Sequence, residues 1–171
     1  MNTLQRQLAD VIIRLASMPG FDEAAKSSAV RYGFLNYVAK YSLARDRYYI
    51  TETAWNHLQY LDLVSAKGLL RGSKSKKRKF TYEHPIPSNI VANEILANPT
   101  DRTHIEFVLR RSDYVTVLTE GDNKKLGGKL VKSMPLDWSF YDSSVFARYE
   151  LVGIDIHQES RQINVYGVIA R

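Results

Sequence analysis

Glu83-His84-Pro85-Ile86-Pro87 is the run in this chain whose residue types could most readily do chemistry. An imidazole titrates near neutral pH, so it can take or give a proton or ligate a metal. A carboxylate beside it can orient the ring or help to hold a cation. Directly upstream, Lys67, Arg71, Lys74, Lys76, Lys77, Arg78 and Lys79 place seven positive charges in thirteen residues with no acid among them. The chemistry this order suggests is phosphodiester cleavage, with phosphate held by the cations, His84 as acid or base and Glu83 as its orienting or metal-holding partner. Alternation along a strand would put Glu83 and His84 on opposite faces unless the strand ends there.

The positive charge is local. The chain of 171 residues has a net charge of +6, yet outside Lys67–Lys79 the other 158 residues carry 17 basic and 18 acidic side chains. A near-neutral body thus bears one basic segment. Such a segment repels itself, and Gly68, Gly72, Ser73 and Ser75 add freedom, so Gly72–Lys77 is expected to be a loop. Cations that neutralise phosphates release counterions and give affinity without sequence preference. Arg71, Lys74, Lys76, Lys77, Arg78 and Lys79 are the expected nucleic-acid contacts. Tyr82, just beyond them, joins that set as a ring that can stack on a base. Tyr48-Tyr49, after Arg45 and Arg47, has the same character, although tyrosines more commonly pack with the ring buried.

His84 with Pro87 resembles the first half of an HNH-type nuclease motif, over about five residues, with Asn98 and His104 at loosely comparable distances downstream. The intervening sequence reads as two helices, which departs from that family's ββα metal site. Asp122-Asn123-Lys124 has the letters of the second element of a PD-(D/E)xK nuclease, which would need Mg²⁺. Asp122 follows Gly121, however, and reads more simply as a helix cap. No cofactor is otherwise called for. The four histidines show no pair at metal-ligand spacing, and the chain has no cysteine, so neither a thiolate zinc site nor a disulfide framework can form. No phosphate-binding G-x-x-x-x-G-K-[ST] loop, G-x-G-x-x-G or G-x-S-x-G occurs.

The elements that must position these residues follow from periodicity and punctuation. Leu4, Leu8, Val11, Ile12 and Leu15 predict an amphipathic helix over about Thr3–Ser17, stopped by Pro19-Gly20. Asp22 is placed to cap a helix running to about Ala44, and Thr51 one over Glu52–Ser65, with Tyr48–Ile50 as a short strand or linker between them. Phe80–Tyr82 has strand composition. Ser88 is placed to cap a helix to Leu96, and Thr100 or Asp101 one over Arg102–Arg111. Tyr114–Thr119 is the strongest strand. A short helix is expected over Asp122–Val131. Asp142 is placed to cap a helix to Leu151 with Gly153 as its stop, and Arg148-Tyr149 reads as that helix's surface. Ile154–His157 and Gln162–Ile169 could pair as a hairpin.

The expected fold class is α+β: a helical N-terminal half, then a mixed half with a small, mainly antiparallel sheet. The expected organisation is a single domain over 1–171, with a helical unit at 1–65, a basic loop at 66–79 and an α+β unit at 80–171. No apolar run is long enough to span a bilayer, and the first residues lack the layout of a signal peptide, so the expectation is a soluble cytoplasmic protein with no membrane partner. The leading functional expectation is a small nucleic-acid-binding protein of bacterial or phage kind, extending to a nuclease, with DNA and RNA equally open. The alternative is a non-enzymatic module, such as an adaptor, inhibitor or immunity-like protein, whose basic loop docks on an acidic protein. A helix-turn-helix reader is disfavoured because neither Asp22–Ala44 nor Glu52–Ser65 carries the Arg, Asn and Gln cluster of a groove-reading face.

Overall fold

The computed structural model describes residues 1–45, 47–58 and 80–158. Its fold class is α+β, and its contacts group into two compact units: Met1–Arg45 with Ile86–Tyr114, and Asp46–Pro85 with Val115–Arg171. Each unit draws on two separated stretches, so the units are not the consecutive blocks at 1–65 and 80–171. The basic segment, Glu52–Ser65 beyond Leu58, and the Gln162–Ile169 arm of the expected hairpin lie outside the described residues. Among the described residues, no helix is long and apolar enough to cross a membrane.

The first unit is helical. Helix α1 is Thr3–Ala16, opened by a capping box: the Asn2 side chain accepts from the Gln5 amide at 2.9 Å, and Gln5 accepts from the Asn2 amide at 3.2 Å. Its buried face is Gln5, Ala9, Ile12, Ile13 and Ala16, while Leu4 and Val11 are exposed. Of the predicted Leu4, Leu8, Val11, Ile12 and Leu15 stripe, Ile12 is buried as expected and Leu8 and Leu15 are half-buried, while the centre of the buried face is turned towards Gln5, Ala9, Ile13 and Ala16. The cause is Gln5, whose amide donates to Asp113 Oδ1 at 2.9 Å and to the Tyr41 carbonyl at 3.4 Å and so is drawn inward. The single helix expected from Asp22 is two, α2 at Phe21–Ala24 and α3 at Ser28–Leu43, because Ser27 takes extended backbone between them. Phe21 sets its ring edge against Phe34, closing the bend.

Helix α5, Ser88–Ala97, begins with Pro87 rather than Ser88 at its cap, and the Pro87 carbonyl accepts from the Ile90 and Val91 amides. Proline suits this boundary, having no N–H to leave unpaired. Helix α6 is Arg102–Arg111, capped as expected by Asp101, which accepts from the His104 amide at 3.0 Å. Phe34, Val38, Tyr41, Val91, Ile95, Ile105, Val108 and Leu109 form the buried interior of this unit.

The second unit is built on a three-stranded sheet: β1 Tyr49–Ile50, β2 Phe80–Glu83 and β3 Thr116–Thr119, in the order β1-β3-β2. The longer pairing is antiparallel, from Phe80 opposite Thr119 to Glu83 opposite Thr116, and the β1–β3 pairing is parallel. Helix α4, Glu52–Leu58, follows β1. Tyr48 and Tyr49 are buried, which agrees with the commoner core-packing reading of tyrosines and not with base stacking by that pair. The helix expected over Asp122–Val131 is split into α7, Glu120–Lys125, and a 3₁₀ turn, Gly128–Val131, because Gly128 takes the left-handed region at φ 62°.

Helix α8 is Ala147–Leu151, shorter than expected from Asp142. The hydroxyls before it compete for the backbone: Ser143 Oγ accepts from the Ser139 amide, and Ser139 Oγ donates to Asp142. Gly153 closes the helix at φ 64°, as expected. Leu118, Leu126, Tyr149 and Ile154 pack together, with Phe146, Val152 and Ile156 around them.

Leu118, fully buried on the central strand, joins the sheet to that cluster. Leu118→Ala should lose about 2–5 kcal/mol of stability in urea unfolding. A loss below about 1 kcal/mol would show that β3 is not the centre of the unit.

Candidate functional site

Strand β2 ends at Glu83, and the chain turns through His84 and Pro85. What fixes this turn is Arg148 on α8. Its side chain is fully buried. Nε donates to the Pro85 carbonyl at 2.9 Å. One terminal nitrogen donates to the Leu130 and Val131 carbonyls. The other donates to the His84 carbonyl and, at 2.7 Å, to Glu83 Oε1. A guanidinium has five N–H donors, and here five acceptors meet them. The charge is balanced by the Glu83 carboxylate, and the cation lies 5.9 Å from the Tyr149 ring centroid.

The reading of Arg148-Tyr149 as helix surface is thus corrected: both are fully buried. A buried arginine is rare and tolerated only when its donors are met. Sequence gave no sign of this, since its acceptors are mostly backbone carbonyls, which no residue type announces.

The clamp sets the electrostatics of the turn. Burial pushes the Glu83 carboxyl up, and Arg148 opposes it through its charge and hydrogen bond. Burial, then the Arg148 charge, pushes the His84 imidazole down to about 4. His84 is therefore neutral at pH 7. It lacks the proton a general acid would give there, and it is a weak base. Burial, then the Glu83 charge, pushes the Tyr149 hydroxyl up, so it stays protonated. Of the predicted site residues, Glu83, His84 and Tyr82 belong to one strand end. Glu83 is engaged by Arg148, and the Tyr82 ring, half-buried, lies 5.9 Å from that of Tyr48. Arg71, Lys74, Lys76, Lys77, Arg78 and Lys79 lie outside the described residues.

Asp122 is the other acid singled out by sequence. It is buried in the first turn of α7, at the third helical position of a capping box whose cap is Thr119. Its Oδ2 accepts from Thr51 at 2.8 Å, from Thr119 at 2.9 Å and from Thr53. Burial opposes the charged form, but these hydroxyl donations outweigh it and hold the carboxyl below its ordinary range. Lys124 turns instead to Glu120, at 2.8 Å and exposed. Among the described residues, no three His, Asp or Glu side chains gather closely enough to hold a metal ion.

A pairing that sequence reasoning missed joins α4 to the segment after α8. His157 Nδ1 lies 3.0 Å from Glu52 Oε1, and its ring stacks on Trp55 with centroids 4.4 Å apart. The two residues are 105 positions apart, beyond any local pattern.

No family model, no curated protein and no solved structure matches the chain.

Two outcomes follow. Arg148→Met should destabilise the protein by roughly 3–5 kcal/mol in urea unfolding, because it strands a half-buried carboxylate and four carbonyls. Adding Glu83→Met should recover part of that loss but not all. A single-variant loss under about 1 kcal/mol would contradict the clamp.

The second concerns acid. The folded His84 pKa, about 4, lies below the ordinary 6.5, so between these values the unfolded chain binds more protons. Stability from this group is complete above pH 6.5 and falls as pH drops towards 4, by up to about 1.4 kcal/mol per pH unit. Glu83, shifted up, acts in the opposite sense at the acid end of that window. The comparison is therefore of wild type with His84→Gln, in urea unfolding at pH 7, 6 and 5. The wild type should lose more stability on acidification than the variant, and parallel curves would refute a buried neutral imidazole.

Proposed function

We propose that this protein binds nucleic acid through Arg71, Lys74, Lys76, Lys77, Arg78 and Lys79, and that the Glu83–Pro85 turn anchors the basic segment to the sheet rather than performing cleavage. The observation that carries this reading is the isolation of the charge: seven cations without an acid, beside a body that is otherwise near neutral. Lys79 is followed at once by Phe80, the first residue of β2. One end of the cationic run is thus joined to the strand whose other end Arg148 holds. Phosphate contacts of this kind give affinity that is strongly salt-dependent and weakly dependent on sequence.

Binding without cleavage is favoured because both groups a nuclease would use are otherwise engaged. Glu83 is held by Arg148, and His84 is neutral with a depressed pKa. A metal-dependent route would need a carboxylate cluster, which the described residues do not form.

A gel-shift experiment with labelled single- and double-stranded DNA and RNA, run with Mg²⁺ and with EDTA, tests this directly. The expected result is a retarded, intact band in both conditions, with a log–log salt slope of roughly −4 to −6 if about five phosphates are neutralised. Replacing Lys74, Lys76, Lys77 and Lys79 with Gln should weaken binding on every sequence and flatten the slope, while His84→Gln should leave binding unchanged. Shorter products that disappear in His84→Gln would restore the nuclease reading. Absence of any shift at low salt would remove the nucleic-acid reading and leave an acidic protein as the partner of the basic segment.

A further inference from the structure

Between α1 and α6, within the first unit, lies a cavity of about 310 Å³ lined by Met1, Arg6, Ala9, Asp10, Ile13, Tyr41, Arg102, Glu106, Leu109 and Arg110. The helices run antiparallel past it, since Asp10 meets Arg102 near one end and Gln5 meets Asp113 near the other. Its apolar part is Ala9, Ile13 and Leu109, all buried. Its polar part is not self-compensated. Arg102 reaches Glu106 at 2.8 Å and Asp10 at 3.5 Å, so the two carboxylates share one guanidinium. Arg6 and Arg110 are exposed and make no ion pair among the described residues. The lining side chains therefore sum to a net positive charge, with the Met1 ammonium adding to it, and the side-chain cations without an ion pair among the described residues are both guanidiniums.

We propose that this cavity is a binding site for a small organic oxyanion: a carboxylate or phosphate head held by Arg6 and Arg110, with an apolar body resting on Ala9, Ile13 and Leu109. Three independent features support the assignment. The volume falls within the range of small-molecule sites, at its lower end. The lining combines an apolar surface with a few polar groups, the composition such sites share. Guanidinium is the side-chain group whose planar fork matches two oxygens of a carboxylate or phosphate. Tyr41 adds a neutral hydroxyl donor: burial, then the Asp113 charge, pushes it up to about 12, and it donates to the Met1 sulfur at 3.5 Å. A cavity of this volume would take a compact ligand.

The test uses the full-length protein and ligand-observed NMR titration with phenyl phosphate, benzoate and the neutral analogue benzamide. The expected result is saturable binding of at least one anion, with benzamide at least about tenfold weaker, which corresponds to a loss of about 1.4 kcal/mol. The tighter of the two anions identifies the head group. Arg6→Gln with Arg110→Gln should weaken anion binding at least about tenfold, whereas Arg14→Gln with Lys40→Gln, which removes the same charge from exposed positions that do not line the cavity, should leave it unchanged. All four positions are exposed, so both double variants are expected to fold. No saturable binding, equal binding of benzamide, or equal loss in both double variants would overturn the proposal. Because the basic segment is intact in all these variants, the outcome is independent of the nucleic-acid reading.

Discussion

A single buried guanidinium is the constraint on which the second unit depends. Removing a charge from water is costly, and the interior tolerates it only when the charge is balanced and its donors are met. Arg148 satisfies both conditions. Glu83 balances it, and the carbonyls of His84, Pro85, Leu130 and Val131 take its remaining N–H groups. Through these contacts the end of β2, the 3₁₀ turn and α8 are fixed to one another. Few other side chains could do this. Lysine has three donors on one atom and cannot present a planar fork to acceptors on several sides.

The same interaction decides what the Glu83–His84 turn can do. A carboxylate committed to a buried arginine is not free to hold a metal, and an imidazole resists protonation when burial, and then that positive charge, oppose it. Glu83, through its carboxylate, and His84, through its carbonyl, are both partners of the same guanidinium. On the proposed reading, affinity for a polyanion would reside in the cations that precede Phe80 in the sequence, and the clamp would hold the far end of the strand that begins there. Asp122 follows the same pattern: three hydroxyls hold its carboxylate, so it joins β1, α4 and α7 instead of offering open ligand positions.

Much of this architecture was legible from local pattern where several signals agreed. The helix over Arg102–Arg111 has a cap at Asp101, an apolar repeat of Ile105, Val108 and Leu109, and basic residues in its last turn. The strand at Phe80 and the stop at Gly153 were equally clear. The reading failed where a long-range polar contact overrode local preference. Gln5, not Leu4, faces inward because its amide reaches Tyr41 and Asp113. Arg148 lies in the core because its partners arrive from 17 to 65 positions away. The cavity between α1 and α6 was invisible for the same reason, since it exists only once two helices separated by almost a hundred residues run side by side. The end of the strand at Glu83 was legible on the chain, while Arg148, which holds that end, was not.

The most direct test of the clamp is hydrogen exchange of the Arg148 side-chain Nε–H, followed by ¹⁵N NMR. A donor held by the Pro85 carbonyl in a water-free setting exchanges only when the second unit opens. The account predicts a resolved Nε–H signal protected nearly as strongly as the β3 amides. Exchange at the rate of a solvent-exposed guanidinium would contradict it, and with it the assignment of Glu83 and His84 to a structural role.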